Sequence, residues 1–312
     1  LNTMGKFVLE RLLQLFLVVF FVATITFFLV RISPGDPATI MLKANNVPVS
    51  DESIDALRSE LGLTNSVGGQ YIEWIKQIFS GNWGTSFVSQ KPVINELIAR
   101  LPATLELAIA GLAIMLAITL FLGISSVIYQ NRTLDKIGRV LALLGSAIPT
   151  FWLGFLSIYV CSVTLGWLPS MGRENWKNVI LPASTLGLGL GAIHARVLRA
   201  NLLDMLQQPF VKASKARGIS KNRIFVFQLL KHALLPIVTM TGTSFAFMLG
   251  GSIIVETIFS WPGLGQYVIE SINMRDYPVI QGYVIFASLL FLVIHMLVDG
   301  ISILIDPRLN AE

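Results

Sequence analysis

Residues 212–236 read KASKARGISKNRIFVFQLLKHALLP. The stretch carries Lys212, Lys215, Arg217, Lys221, Arg223 and Lys231 and no Asp or Glu, and it lies between runs apolar enough to cross a bilayer. Its chemistry predicts two short helices at right angles: one over 212–217 that Gly218 ends, and a second that starts near Ser220 as its N-cap. Uncompensated positive charge between apolar runs marks a cytoplasmic loop. One reading is a loop that only fixes topology. The sharper reading is a docking surface for a soluble partner.

Composition sets the class around this loop. Apolar residues make up 54% of the 312 and charged residues 13%, and the mean hydropathy is +0.71. Soluble domains carry about 25% charged residues, so the chain reads as an all-α polytopic membrane protein with the lipid bilayer as its main surroundings. The net charge of +5 sits mainly in loops assigned to the cytoplasm, and no nucleic-acid partner is expected. Cys161 is the one cysteine, which excludes an internal disulfide and a cysteine metal cluster. The chain lacks G-x-x-x-x-G-K-[ST], H-E-x-x-H and G-x-S-x-G, so it is read neither as an ATPase nor as a membrane enzyme. A self-powered channel or secondary transporter is disfavoured because no internal repeat is visible.

Runs of about 20 apolar residues predict six spans: 7–30, 101–128, 140–167, 179–203, 234–254 and 281–305. Lys6 and Arg11 place the N-terminus in the cytoplasm, and an even count returns the tail to the same side. Met4-Gly5-Lys6-Phe7 reads as a natural start, with residues 1–3 an addition ahead of it. Arg31 follows the first run without a small-residue cleavage site, so the run is expected to stay as a span. Pro34-Gly35-Asp36-Pro37 then stops the helix.

The expected plan is a first transmembrane helix, 1–31, a small extracytoplasmic lobe, 32–100, a transmembrane domain, 101–305, with a cytoplasmic loop at 204–234, and a cytoplasmic tail, 306–312. The lobe is placed outside because its acids and bases nearly balance. In it, Ser50 or Ser53 should cap a short helix that Gly62 closes, and Trp74 and Trp83 suit a membrane interface. Pro102 is expected to open the second span, with Glu106 one turn inside it and favoured by the helix dipole. Pro149 falls in the middle of the third span. Gly187-x-x-x-Gly191 in the fourth has the spacing of close helix contact.

Ionisable residues inside spans are functional candidates by default. Here they are His194, His295 and Asp299, with Met248 as a soft ligand, and they are expected to line a translocation path. His232 in the basic loop reads as a solvated or docking residue. No His-x-x-x-His or carboxylate–His cluster occurs, so no metal site is assigned.

From 101 to 309 the chain resembles the inner-membrane permeases of binding-protein-dependent ABC importers, in their peptide/nickel branch. Lys212 stands at the Glu position of that family's E-A-A motif, followed by Ala213 and Ser214. Gly218 matches its Gly, and Leu235-Pro236 its Leu-Pro after a longer gap. A second stretch runs from Glu256 through Trp261-Pro262-Gly263-Leu264-Gly265 to Arg275-Asp276-Tyr277-Pro278-Val279-Ile280-Gln281, and Pro34-Gly35-Asp36-Pro37 is the third. Residues 101–108, Trp176 with 180–183, and 195–200 look most like the nickel importer's permease. Dipeptide, oligopeptide and metallophore permeases share the scaffold.

The resemblance implies the type I ABC importer permease fold in a bacterial inner membrane, multi-pass with both termini cytoplasmic. It implies half of a pathway for nickel, free or chelated, or else for a peptide or metallophore. The partners implied are a second permease subunit, two ATP-binding subunits and an extracytoplasmic solute-binding protein. ATP and Mg would sit at the partner subunits and no cofactor on this chain. Lys212, Ala213, Ser214, Lys215, Ala216, Arg217, Gly218 and Ile219, with Leu235-Pro236, would form the loop that couples to the ATPase.

Overall fold

The computed structural model describes the backbone of residues 3–32, 34–44 and 47–305, and the side chains of these except at 3–12, 44, 251, 299 and 301–305. The expected tail, 306–312, lies outside the described residues. Helices α1 (Thr3–Ile32), α2 (Pro37–Ala44), α3 (Asp51–Glu60) and α4 (Val67–Phe79) come first, then α5 (Val93–Ile128) and α6 (Thr133–Ala147). The chain continues through α7 (Thr150–Ser157), a π-helical segment Ile158–Thr164, and α8 (Ile180–Gln207). It ends with α9 (Pro209–Ala216), α10 (Lys221–Ile224), a π segment Phe225–Leu230, α11 (Lys231–Gly251), α12 (Ile253–Ile258), α13 (Leu264–Asn273) and α14 (Tyr277–Ile305). Among the described residues the β structure is one isolated bridge, Thr85 to Pro92.

Among the described residues, five helices are long and apolar enough to cross a membrane: Leu13–Ile32, Val93–Ile128, Trp176–Gln207, Lys221–Gly250 and Tyr277–Val298. The third predicted span differs from expectation. It is a pair, Thr133–Ala147 and Thr150–Thr164, bent by 106°, and it brings the count to six only if the pair is one span. A proline biases the residue before it toward extended backbone. Ile148 (ψ 126°) and Pro149 (ψ 137°) are both extended, so the chain turns in the middle of the predicted span 140–167, at Pro149.

The chain divides into two compact units. One holds the residues up to Pro102 together with Gly263–Leu292. In it the end of α1 packs on α4: the Phe27 ring, fully buried, meets Tyr71 at 5.1 Å and Trp74 at 5.2 Å, and the Thr24 and Tyr71 hydroxyls are 2.9 Å apart. The short helices are capped as their sequences demand. Ser50 and Ser53 cap each other's amides ahead of α3, so both candidate residues take part, and Gly62 (φ +68°) follows its end. Asp36 accepts from the amide and hydroxyl of Thr39 at 3.0 and 2.8 Å and from Arg58 at 3.3 Å. Burial opposes its charge, but these bonds win and hold the Asp36 carboxyl below the usual carboxylate range.

The second unit, Ala103–Pro262 with residues from Val293 on, is built around α8. A Cβ at Gly187 would stand 2.7 Å from the Gly111 carbonyl oxygen, and one at Gly191 3.0 Å from that of Met115. The G-x-x-x-G spacing therefore does what it was expected to do, letting α8 lie against α5. On another face, Asp135 of α6 is fully buried and takes a forked pair of bonds from Arg199 at 3.1 and 3.2 Å.

Two proline expectations need correction. Pro102 lies inside α5, which starts at Val93. Val93 and Leu97, one turn apart and fully buried, begin the helix earlier, and a membrane helix tolerates the missing amide. Glu106 is consequently far from the helix start. It is held by Arg173, whose Nε donates at 2.8 Å, and not by a dipole. Pro236, read from the predicted span 234–254 as standing at that span's start, likewise lies inside α11, which begins at Lys231.

Candidate functional site

The basic loop folds from its own residues. Gln208 is extended (ψ 146°) and Pro209 takes the first position of α9, where its missing amide costs nothing. The helix thus runs over 209–216, about one turn earlier than the predicted 212–217. Its end is as expected. Gly218 has φ +79°, its amide donates to the Lys215 carbonyl at 3.0 Å, and that of Ile219 donates to the Ser214 carbonyl at 3.2 Å. This is the paired closure of a Schellman turn, which needs a left-handed residue. The second predicted short helix is not separate. Lys221 starts one helical run that passes through the π segment into α11. Ser220 holds the N-cap position but makes no side-chain capping bond.

One face of α9 is an anchor. Val211 is fully buried among Val127, Leu198, Leu202, Ile224 and Leu229. The Ser214 hydroxyl donates to Gln228 Oε1 at 2.9 Å and ties α9 to the π segment. Lys212, Ala213, Lys215, Ala216 and Arg217 are exposed on the rest of the helix and its end. The result is a short, pinned lever with a cationic outside and small residues that allow close approach. Leu235 is half-buried and Pro236 exposed on α11. His232 is exposed, with Nδ1 2.6 Å from the Gln228 carbonyl.

The stretch around Trp261 divides its work between the units. In the second unit, Trp261 is fully buried, and its indole Nε1 donates to the Ala103 carbonyl at 2.8 Å. Glu256 is buried too, and its Oε1 accepts from Thr104 at 2.8 Å and Ser252 at 3.0 Å. A buried carboxylate is tolerated when hydrogen bonds satisfy it. Pro262 is exposed. In the first unit, Gly263 stands before α13 in extended conformation, and Gly265 is buried within the helix. Asp276 is buried and accepts from the Ser86 hydroxyl and from the amides of Phe87 (3.0 Å) and Val88 (3.3 Å). It clamps the turn that precedes α5. Tyr277 is buried, and Pro278 comes within 3.5 Å of a Cβ placed on Gly84. Nothing in the spacing of Asp276 marked Ser86, 190 residues earlier, as its partner.

The residues expected to line a path fall in different places. His194 on α8 is buried, with Nε2 3.3 Å from the Ser244 hydroxyl on α11. Met248 is buried, its sulfur 3.6 Å from a Cβ placed on Gly111. His295 is half-buried on α14. The Asp299 side chain lies outside the described residues. Among the described residues, no group of three or more His, Cys, Asp or Glu side chains comes together as metal ligands would.

Residues 117–311 match the family described as the binding-protein-dependent transport system inner membrane component, and residues 4–108 match the N-terminal family of such membrane components. The chain is 38% identical over 308 residues to the glutathione transport system permease protein GsiC of Salmonella typhi and to that of Escherichia coli (strain K12), covering 98% of this chain and 99% of each relative. An inward-facing structure of the MetNI methionine ABC transporter has the same fold, with a TM-score of 0.56 at 19% identity over 69% of this chain and 98% of that one. An amino acid ABC transporter follows, with a TM-score of 0.53 at 19% identity over 69% and 94%. Matched along nearly its whole length and folded as type I importer permeases are, the chain belongs to the inner-membrane permeases of binding-protein-dependent ABC importers, a transport subunit without an ATPase site of its own.

Proposed function

We propose that this chain forms half of a translocation pathway for a small peptide of the glutathione class. The observation that carries this reading is the 38% identity to the glutathione permease across 98% of the chain. Nickel, free or chelated, is the second reading, favoured by the stretches 101–108, 180–183 and 195–200. The complete complex holds this chain, a second permease, two ATP-binding subunits and a solute-binding protein. Residues 32–100 form an extracytoplasmic lobe in this reading, and both termini lie in the cytoplasm. His194, Met248 and His295 remain the path-lining candidates, with Asp299. His194 and Met248, packed against neighbouring helices, would report the path only after a rearrangement.

α9 is the lever that seats on an ATP-binding subunit. Its pinned face resists rotation, so a push on the exposed face is carried into α8 and α11. Among the described residues nothing lies within 4 Å of a Cβ at Gly218, but its φ of +79° strains any other residue. Gly218→Trp therefore leaves the packed core untouched and spoils the exposed end of the lever. The expected result is a normally abundant complex whose ATP-driven uptake falls to background, read in proteoliposomes. Uptake at the wild-type rate would remove α9 from coupling. In the same proteoliposomes, ATP-dependent uptake of labelled glutathione that nickel does not inhibit supports the peptide reading. Nickel uptake that glutathione does not inhibit replaces it.

A further inference from the structure

The first unit contains a cavity of about 390 Å³, lined in part by Arg31, Glu73, Trp74, Trp83, Tyr277 and Gln281. That is the size of a small-ligand site. Two features set it apart from a packing defect. Gln281 is 3% exposed, and among the described residues its side-chain Nε2 has no hydrogen-bond partner. Buried donors are nearly always satisfied, and this unsatisfied amide belongs to a residue that lines the cavity, so a ligand that settled against it would supply the missing acceptor. Arg31 is the second feature. Its Nε donates to Gln70 Oε1 at 2.9 Å, its Nη1 to the Phe27 carbonyl at 3.2 Å, and its guanidinium lies 3.4 Å over the Phe27 ring. Gln70 is itself fixed by donating to the carbonyls of Leu63 and Asn65 at 3.3 and 2.9 Å. The cation is locked in place, yet among the described residues no carboxylate pairs with it.

We infer that this cavity is a binding site for a small zwitterionic peptide, distinct from the path between permease subunits. Arg31 and Gln281 supply a fixed cation and an unsatisfied donor for the peptide's carboxylate and carbonyl oxygens. Exposed Glu73 supplies the opposite charge for its ammonium group. Trp74, Trp83 and Tyr277 give aromatic walls to either side chain or ammonium. Tyr277 and Gln281 belong to the sequence motif around Asp276, and the clamp on Ser86 explains Asp276 but not Gln281. The inference rests on the peptide reading for its ligand, and the site would hold solute on this subunit as it passes from the binding protein.

The test is equilibrium binding of tritiated glutathione to the full permease–ATPase complex in phosphatidylcholine nanodiscs, without the binding protein, beside uptake in proteoliposomes. Gln281→Leu keeps the volume and removes the unpaired donor. It should weaken binding by about tenfold or more, the scale of one hydrogen bond to a charged acceptor, while the melting temperature holds or rises. Arg31→Gln should weaken binding further, and Glu73→Gln should weaken binding of glutathione but not of its N-acetyl derivative. Unchanged binding in Gln281→Leu with a raised melting temperature would make Gln281 a packing residue and overturn the site. A complex that transports glutathione but does not bind it in this assay also overturns the site and leaves the function standing. Glutathione bound in a Gln281-dependent way by a complex that transports only nickel would keep the site and overturn the peptide reading. Neither binding nor uptake would overturn both.

Discussion

The first membrane helix and the one that contains α8 invert the rule that holds in water. The span Leu13–Ile32 is much the more apolar, yet 11% of its most apolar stretch is buried, against 61% for that of Trp176–Gln207. A soluble protein would put the first at its centre. In a bilayer, lipid tails solvate Leu and Phe as well as protein does, so association goes to helices that can come close and interlock. Phe16, Phe21 and Leu29 of α1 are exposed, whereas α8 offers Gly187 and Gly191 to the backbone of α5. Apolarity ranks contact with lipid here, and smallness ranks contact with protein.

Gly187→Leu attacks the comparison at its strongest point. The carbonyl oxygen of Gly111, 2.7 Å from any Cβ, is backbone and cannot step aside, so the variant should yield no monodisperse protein in size-exclusion chromatography. Recovery of folded material at the wild-type level would mean that α8 is not the centre. Phe27→Ala tests a well-packed part of α1. Phe27 is fully buried against Tyr71 and Trp74, and its loss should cost about 3 kcal/mol, read as a clear fall in melting temperature. Phe21→Ala, two turns earlier and 57% exposed, should change stability by less than about 0.5 kcal/mol. If Phe21 proved as costly as Phe27, α1 would have a protein partner along its whole length.

Much of this was legible in the sequence because it rests on local chemistry. The serines at the start of α3 and the glycine that ends α9 act within a few residues of themselves, and the spacing of Gly187 and Gly191 is a local string even though the helix it serves, α5, is distant in the chain. The family motifs were legible as strings. What was not legible depends on distance in the chain. Pro102 reads as a helix start because proline favours that position, but Val93 and Leu97 find a buried surface and extend the helix backwards. Glu106 reads as a dipole partner because Arg173, 67 residues away, gives no periodic signal. The turn clamped by Asp276 and the unsatisfied amide of Gln281 come from residues that meet only after folding. Solute choice was legible only through resemblance, and there the nickel-like stretches and the match over the whole chain point to different solutes.

The 106° break between α6 and α7 has one more consequence. A helix start leaves backbone N–H groups without partners inside the helix, and α7 starts at Thr150 after Pro149 with no side-chain cap. Pro149 and Thr150 are exposed in this chain. Hydrocarbon offers nothing to hydrogen-bond, so backbone of this kind is tolerated at membrane depth only beside water or protein. If the two arms form a single span, the break works as a compass: the side of the molecule on which it opens is one that lipid does not wet.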